Sequence, residues 1–482
     1  MWKRLAVIVV VAASSSWTLA AQDARTVISA VSMAMGVDTL KTLEFTATGL
    51  DFAVGQNANP GVAWPKFIDK SYTRQIDFEK GASRVERIRV QGERPQRGGA
   101  QPVVGEQTQV QTVIIDANTP WVQQLEIWMT PHGFLRAAKT NNATLAQQTI
   151  NGKPYRVLTF IGQNKAKVNG YINSDQLVER VETWIDNPVL GDMIFEANYI
   201  NYKDFGGVKF PMKMVIKQGP YPILDLNTIA VKPNAAVSIQ AAAAAPAQAN
   251  ANTPGAPSQK LADGVFLLLG GYASVAVDFK DYIVIIEGPQ SEARATAIIN
   301  EAKKLIPNKP IKYVVNTHAH YDHAGGLRTF VAEGATIITH EMNKPFYEKM
   351  MTLPHTLSPD RLSTSKAKPS FETMTEKKVL TDGNHVIELH HDLDNQHNDA
   401  IVFAWLPKEK IVVVADTWSA PQQPDAPTPA YINEFFIQFA ANLDRLKIDP
   451  ETLVGIHYPN DGRRSGKAEL LKSLGKVASG AN

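Results

Sequence analysis

The sequence predicts an α/β protein of two domains, in which an antiparallel β-rich domain precedes a domain of layered strands and helices. Three observations lead to this fold class. Short segments of alternating or β-branched residues run to position 234, strands alternate with helices after position 259, and an Ala- and Pro-rich segment separates the two. With 482 residues, of which 44% are apolar, the chain is long enough to bury more than one hydrophobic core.

Residues 1–21 have the pattern of an export signal. Lys3 and Arg4 precede the apolar run LAVIVVVAA, and small residues follow, so we expect cleavage near Ala20 or Ala21. The alternative is an uncleaved membrane anchor, but the apolar run is shorter than the ~20 residues that a spanning helix needs. We therefore expect a periplasmic or secreted protein whose mature chain has no stable membrane insertion.

The segment 22–234 is predicted to be the antiparallel β-rich domain. Strand-like segments such as TLEFTATGLDFAV, YRVLTFIG and LVERVETWID are separated by Gly, Asn and Pro turns, and ARTVISAVSMAMGVDTL is a predicted helix. The hairpins resemble the antiparallel half-barrels of periplasmic lipoprotein-carrier proteins. His132, the only histidine of the domain, belongs to no acid–base or metal-ligand pattern. A structural or docking role is therefore favoured over a site for an apolar ligand.

The segment 235–258 is a predicted linker, because it is rich in Ala, Pro, Asn and Gln and lacks aromatic residues. The domain at 259–482 then alternates strands with helices. GVFLLLGG, ASVAVDF, DYIVIIEGP, IKYVV, EKIVVVAD and ETLVGIHYP are strand-like, whereas SEARATAIINEAKKLIP and INEFFIQFAANLDRL have helical spacing. This alternation predicts an α/β layered fold.

Composition excludes several classes of site and partner. The chain has no cysteine, so neither a disulfide nor a thiol ligand or nucleophile is available. Residues 1–21 contain Lys3 and Arg4 and no acidic residue, which leaves 47 basic and 47 acidic residues in the remainder. A net charge near zero provides no basic field for nucleic acid, so we expect a small-molecule substrate. The sequence makes no prediction of an oligomeric state.

The chemistry is concentrated in the stretch NTHAHYDHAGGL, residues 316–327, and ten of the eleven histidines lie between positions 318 and 457. In an extended loop His318 and His320 point the same way, whereas Asp322 and His323 follow a turn and aim at a neighbouring point. Nitrogen and carboxylate donors suit divalent first-row metals, and two such metals lie ~3.5–4 Å apart in dinuclear sites. The alternative is a solvent-exposed chelating loop, but its position after a predicted strand favours a built site.

Later residues must complete two metal sites. His397 precedes the strand-like IVFAWLP, Asp416 ends IVVVAD, and His457 follows LVGI. A carboxylate at the end of a buried strand is costly unless a cation meets it. His390 and His391, in the predicted strand HVIELHH, are the alternatives to His397.

The pattern HxHxDHxGG, followed by a His, an Asp after an apolar strand and a late His, resembles the metallo-β-lactamase superfamily over about residues 260–460. The resemblance implies an αββα sandwich with a dinuclear metal centre at one sheet edge. Carried over by position, it assigns the first metal to His318, His320 and His397, the second metal to Asp322, His323 and His457, and the bridging position to Asp416.

The sequence departs from the family pattern at three points. Glu287 in IIEGP occupies a turn in which the family often has Asp, and NQHNDA replaces the usual Gly-His-x-x-Gly around His397. Because cysteine is absent, Asp322 takes the position of the thiolate that binds the second metal in true β-lactamases.

These assignments predict a hydrolase with two Zn²⁺ ions, or Fe or Mn in their place, that uses a metal-bound hydroxide to cleave an ester, lactone, amide or β-lactam-type bond. Asp322 is also expected to act as a proton shuttle, and Tyr458 and Arg463 to bind the substrate. The insertion at 352–370 is expected to cover the site as a lid. Two alternatives are an iron-dependent redox enzyme on the same fold and an apolar-ligand-binding protein with a secondary metal domain.

Overall fold

The computed structural model describes residues 23–476 except 94, 101, 103, 164, 241–255 and 424–425. The predicted signal peptide and most of the predicted linker therefore lie outside the described residues, and both stay predictions. In the part of the chain that is described, no helix combines the length and the apolar character needed to cross a bilayer.

The N-terminal part is one antiparallel sheet of eleven strands with three helices. A helix over 23–35 (α1) comes first. The strands and remaining helices are β1 (Thr42–Phe52), β2 (Lys66–Asp77), β3 (Ala82–Gln91), β4 (Gln107–Ile114), α2 (Trp121–Trp128), α3 (Pro131–Thr140), β5 (Thr144–Ile150), β6 (Lys153–Ile161), β7 (Lys167–Ile172), β8 (Val178–Asn187), β9 (Gly191–Asp204), β10 (Lys209–Gln218) and β11 (Tyr221–Pro233). The sheet order is β4-β3-β2-β1-β11-β10-β9-β8-β7-β6-β5, so nearly all neighbours are sequential hairpins.

One face of this sheet packs against the helices to form a single core. Alternate residues of β1 point inward, including Leu43 and Phe45, and they join Met35 of α1 and Phe134 of α3. His132 is fully buried in this core. The predicted β-rich domain is thus confirmed, and the resemblance to lipoprotein-carrier half-barrels stays a prediction.

Two carboxyl groups lie side by side on β1 and β2. Asp51 forms ion pairs with Arg87 and Arg89, whereas Asp69 is only 1% exposed and neither of its oxygens accepts a hydrogen bond. Burial, and then the neighbouring Asp51 carboxylate, raise the pKa of Asp69 to about 7. Between pH ~4 and about 7 the folded protein thus keeps a proton that the unfolded chain has lost.

The C-terminal part consists of two sheets between layers of helices. Its first half contains β12 (Ser258–Ala262), β13 (Val265–Leu268), β14 (Ser274–Asp278), β15 (Ile283–Ile286), α4 (Glu292–Leu305), β16 (Ile311–Val315), α5 (Tyr321–Ala324), α6 (Leu327–Ala332), β17 (Thr336–His340), a 3₁₀ turn (Glu341–Asn343), α7 (Lys344–Thr352), α8 (Arg361–Thr364) and β18 (Phe371–Met374). Its second half contains β19 (Lys377–Thr381), β20 (Val386–His391), β21 (Val402–Leu406), β22 (Ile411–Val414), α9 (Glu434–Leu446), β23 (Thr452–Gly455) and α10 (Lys467–Ser473).

These elements form an αββα sandwich. The seven-stranded sheet β12–β18 and the five-stranded sheet β19–β23 bury one shared core, in which Val275 and Ile286 of the first sheet meet Leu389 and Val413 of the second. Helices α4, α6 and α7 cover the outer face of the first sheet, and α9 and α10 cover that of the second. The predicted α/β class and sandwich are confirmed.

The insertion at 352–370 packs against the N-terminal sheet. The carboxylate of Asp192, at the start of β9, accepts hydrogen bonds from the backbone N–H groups of Thr356 and Leu357. The backbone N–H of Asp192 donates to the carbonyl of Pro354. Hydrogen bonds to the other domain therefore hold this insertion, and its expected role as a lid stays a prediction.

The Asp69 carboxyl predicts a pH-dependent stability. Below its unfolded pKa of ~3.9 the proton is bound in both states, and between that value and about 7 only the folded state keeps it, so stability falls as pH rises. We expect Asp69→Asn to raise the stability at pH 8 by ~1 kcal/mol or more, after allowing for screening by water, and by less at pH 5. Thermal unfolding of both chains at the two pH values measures this.

Asp175→Asn removes a carboxylate at an exposed turn and is the control, so it should keep the pH dependence of the wild type. Equal pH dependence of Tm in the wild type and Asp69→Asn would contradict the prediction.

Candidate metal centre

The carboxyl ends of four strands meet at one edge of the sandwich. In the first sheet β15 and β16 are parallel neighbours, and in the second β22 and β23 are. The backbone N–H of Ala273 donates to Ile456, and that of Val402 donates to Thr317, so hydrogen bonds join the two sheets at this edge. Side chains that follow these four strands are therefore brought to one place, as is usual for sites in α/β folds.

The motif 316–327 crosses this edge as an extended loop and then a short helix. β16 ends at Val315, and α5 begins directly after His320. A side chain on Gly325 would collide with the carbonyl of Gln290, so the first glycine of the GG pair allows α5 to lie against the turn before α4. This close approach sets the position of Asp322 and His323.

The first cluster contains three histidines and one carboxylate: His318, His320, His397 and Asp416. One donor atom from each lies within 4.8 Å of the others. The Nε2 atoms of His318 and His397 are 3.1 Å apart, and Oδ2 of Asp416 lies 3.0 Å from Nε2 of His397. All three imidazoles are fully buried.

The second cluster shares Asp416 with the first and adds Asp322, His323 and His457. Oδ1 of Asp416 lies 3.2 Å from Nε2 of His323 and 2.5 Å from Nε2 of His457. His457 has a side-chain exposure of 35%, so this cluster faces the surface. The structure therefore brings all seven predicted ligands together, with Asp416 between the two groups.

Two of the buried imidazoles are oriented by neighbours in the same domain. Nδ1 of His318 lies 3.0 Å from the hydroxyl of Thr317, and Nδ1 of His323 lies 3.1 Å from Oε2 of Glu287. Glu287 is fully buried and also accepts from the Thr317 hydroxyl at 2.5 Å. These contacts turn Nε2 of both histidines toward Asp416.

The donor set fits divalent cations. Nδ1 of His320 and Nε2 of His323 are buried and form no hydrogen bond, which is costly unless another group meets them. Burial, and then the neighbouring His397, lower the pKa of His320 to about 3, so its imidazole is neutral and has a free lone pair. Neutral imidazole and carboxylate are the ligands that zinc and iron take in proteins.

The remaining histidines of this domain lie away from the clusters. Nε2 of His390 lies 3.0 Å from the Glu388 carboxylate, and Nε2 of His391 lies 3.0 Å from the carbonyl of Asp399. His340 accepts from the N–H of Met342 at the 3₁₀ turn. His397 rather than His390 or His391 therefore occupies the third position of the first cluster.

Tyr458 and Arg463, which the sequence predicts to bind the substrate, form contacts within the C-terminal domain. Tyr458 is 6% exposed and belongs to the core between the sheets. Arg463 forms an ion pair with Asp461 and donates to the carbonyls of Pro421 and Gln422. Neither is among the described residues that line the cavity over the clusters, and their role in substrate binding stays a prediction. Sequence proximity to His457 does not decide which way a side chain points.

A cavity of about 690 Å³ opens over the second cluster. Its wall includes Asp322, Asp416 and His457, together with Tyr272 and Gln56, which the sequence analysis missed. The Tyr272 hydroxyl donates to Oδ2 of Asp322 at 2.7 Å, and its ring packs 4.3 Å from that of His457. Tyr272 follows two glycines before β14, and Gln56 belongs to the other domain. No sequence motif around either residue indicates that it lies beside Asp322.

Substitution of Glu287 tests whether its contact with His323 supports metal binding. We expect Glu287→Gln to weaken binding at the second cluster by ~10–100-fold, because the amide no longer provides the negative charge that holds the N–H of His323. Competition with a chelator measures the affinity. Glu182→Gln, at a buried carboxylate of the N-terminal sheet, is the control, and unchanged affinity in Glu287→Gln would contradict this role.

Comparison with known proteins identifies the sandwich. A profile described as the metallo-beta-lactamase superfamily matches residues 274–477. Similar solved structures include metallo-beta-lactamases from Pontibacter korlensis and Hirschia baltica, which are 16% and 15% identical with TM-scores of 0.34. These matches cover 46% of this chain and 97% and 96% of theirs.

A rubredoxin oxygen:oxidoreductase from Desulfovibrio gigas is 15% identical with a TM-score of 0.35, covering 45% of this chain and 61% of its own. No curated protein sequence matches the chain. The matched profile, the αββα sandwich and the histidine motif agree over the same segment. The C-terminal domain of this chain therefore belongs to the metallo-β-lactamase superfamily.

Proposed function

We propose that this protein is an exported hydrolase with two divalent metal ions, which cleaves an ester, lactone, amide or β-lactam-type bond of a small molecule. The observation that supports it is the convergence of five imidazoles and two carboxylates beneath an open cavity. Membership of the superfamily supports metal-dependent hydrolysis or a related activity.

Each cluster would hold one cation, and Asp416 would contact both. When bound, the two ions lower the pKa of a water molecule and polarise the bond to be cleaved. Zinc is the proposed metal because imidazole nitrogen and carboxylate oxygen are its common ligands in catalytic sites. His457 is half-exposed on the cavity wall, so the second cluster is open to a substrate.

Asp322 is the proposed proton shuttle. Its Oδ1 accepts from Gln56 at 2.8 Å and its Oδ2 accepts from the Tyr272 hydroxyl at 2.7 Å. Both bonds hold the carboxylate at the cavity wall, where it can take a proton and deliver it to a leaving group. Tyr272 also lines the cavity, so its ring and hydroxyl can contact the substrate.

The cavity wall favours a substrate with an apolar body. Pro421, Pro427, Tyr431 and Phe436 form one side of it, and Lys472 adds a positive charge. Apolar surface binds a hydrocarbon or ring portion, whereas an ammonium group attracts a carboxylate or phosphate. A small, partly apolar molecule with an anionic group matches this wall.

The activity is tested on metal-loaded protein with a panel of β-lactam, lactone, ester and phosphodiester substrates. We expect hydrolysis that is lost on chelation and regained when Zn²⁺ is added to the wild type. Asp416→Ala should lose at least ~10³-fold in kcat/KM, because both clusters lose their shared donor.

Lys408→Ala, at an exposed lysine next to a turn, is the control and should keep wild-type activity. Hydrolysis that survives complete metal removal would contradict the proposal. Stoichiometric iron with a visible absorption band, and no hydrolysis, would instead favour the redox alternative.

Export is proposed from residues 1–21, which lie outside the described residues. We expect the full-length gene, expressed in a Gram-negative host, to yield a periplasmic protein whose N-terminus follows Ala20 or Ala21. N-terminal sequencing of the periplasmic fraction measures this, with a chain starting at residue 22 as the cytoplasmic control. An intact N-terminus in the membrane fraction would favour the uncleaved anchor.

A further inference from the structure

A loop of the N-terminal domain lies directly against the ligand loops of the metal centre. This docking loop, residues 53–65, connects β1 to β2. Five successive residues of it contact the two segments that supply His320, Asp322 and His397: Gly55, Gln56, Asn57, Ala58 and Asn59. The N-terminal domain thus contacts the centre itself.

The backbone carbonyl of Asn57 determines the tautomer of His320. It lies 2.9 Å from Nε2 of His320, and because a carbonyl can only accept, that nitrogen carries the hydrogen. Nδ1 of the neutral ring is therefore left with the lone pair, and this buried atom forms no hydrogen bond. The ring presents a ligand atom to the cluster only in this tautomer.

The source of this contact differs from that of the other oriented histidines. Thr317 and Glu287, which orient His318 and His323, belong to the sandwich. The carbonyl that orients His320 comes from a different domain, more than 260 residues away in the chain. The sandwich alone therefore leaves one ligand of the first cluster without its hydrogen-bond partner.

Gln56 makes the corresponding contact to the second cluster. Its side-chain amide donates to Oδ1 of Asp322 at 2.8 Å, and Gln56 also lines the cavity. Tyr272 holds the other oxygen of the same carboxylate. The orientation of Asp322 is thus set by one group from each domain.

Further contacts hold the docking loop in place. The carbonyl of Gly55 accepts from the N–H of Tyr321, and a side chain at Gly55, which has a φ of +73°, would collide with the Tyr321 ring. Asn59 donates to Asp399 at 2.7 Å, and Arg97 forms an ion pair with the same carboxylate. The docking loop is therefore held at Gly55 by the segment of Tyr321 and at Asn59 by Asp399.

We propose that the N-terminal domain is a structural part of the metal centre, in which Asn57 and Gln56 are positioning residues for His320 and Asp322. This inference depends on the metal ions of the proposed function but not on the reaction that they catalyse. Removing either contact should lower metal affinity, because such partners outside the ligand set typically contribute 10–100-fold.

The test compares metal binding by full-length chains, measured by Zn²⁺ competition with a chelator and by the visible spectrum of the Co²⁺ form. We expect Gln56→Met, which has a similar volume but no donor, to weaken one of the two ions ~10-fold and to change its Co²⁺ bands. The other ion should keep wild-type affinity. Gln422→Met, at a glutamine that lines the same cavity and accepts a hydrogen bond from the N–H of Asn460, is the matched control.

A second pair of variants addresses His320. We expect Gly55→Ala to displace the docking loop from both contacts and so to weaken both ions. Gly61→Ala, in the same loop, meets only the side-chain oxygen of Asn59, at 3.3 Å, and should weaken neither ion. In the metal-free chains, ¹⁵N spectra of labelled histidine should show a single Nε2–H tautomer of His320 in the wild type and Gly61→Ala. Gly55→Ala should show a mixture of tautomers.

Wild-type affinity for both ions in Gln56→Met, or an equal loss for both ions together with a lower Tm, would overturn the inference. A His320 ring protonated at Nδ1 in the metal-free wild type would overturn it as well. If the wild type binds two ions but hydrolyses nothing, the proposed function fails and the inference is still decided by the affinities. A wild-type chain that binds no divalent ion would overturn both.

Discussion

The buried carboxylate of Asp416 is the constraint on which the architecture depends. It lies within 3.7 Å of ring nitrogens from four histidines, namely His318, His323, His397 and His457. Burial raises its pKa, but His457, His323 and His397 outweigh this and lower the pKa of Asp416 well below its ordinary value. Such a group is stable inside a protein only where positive charge compensates it, which is the role that we assign to the cations.

The sandwich brings these groups together through strand order. Parallel pairs in both sheets place their carboxyl ends at one edge, and short loops from those ends carry the donors. His323 is then oriented by Glu287, which is itself buried. The geometry of the centre therefore depends on packing several residues away from the ligands.

The N-terminal sheet contributes contacts to the metal centre of the other domain. Its docking loop supplies a carbonyl to His320 and an amide to Asp322, and Asp192 at the start of its strand β9 binds the insertion at 352–370. The sequence favoured a structural or docking role for this domain, and these contacts are of that kind. In this way Asp192 holds the segment that the sequence predicts to cover the site.

The sequence by itself determined the two kinds of domain and the seven clustered donors, because hydrophobic periodicity and the HxHxDH spacing are local properties of the chain. Only the tertiary structure decided that Tyr458 is buried, that Arg463 pairs with Asp461, and that Tyr272 and Gln56 reach Asp322. The physical reason is that side-chain direction at a loop end, and contacts between distant segments, depend on packing that no local pattern encodes. The contact of Gln56 with Asp322 joins positions 266 residues apart, and only the docking of one domain on the other creates it.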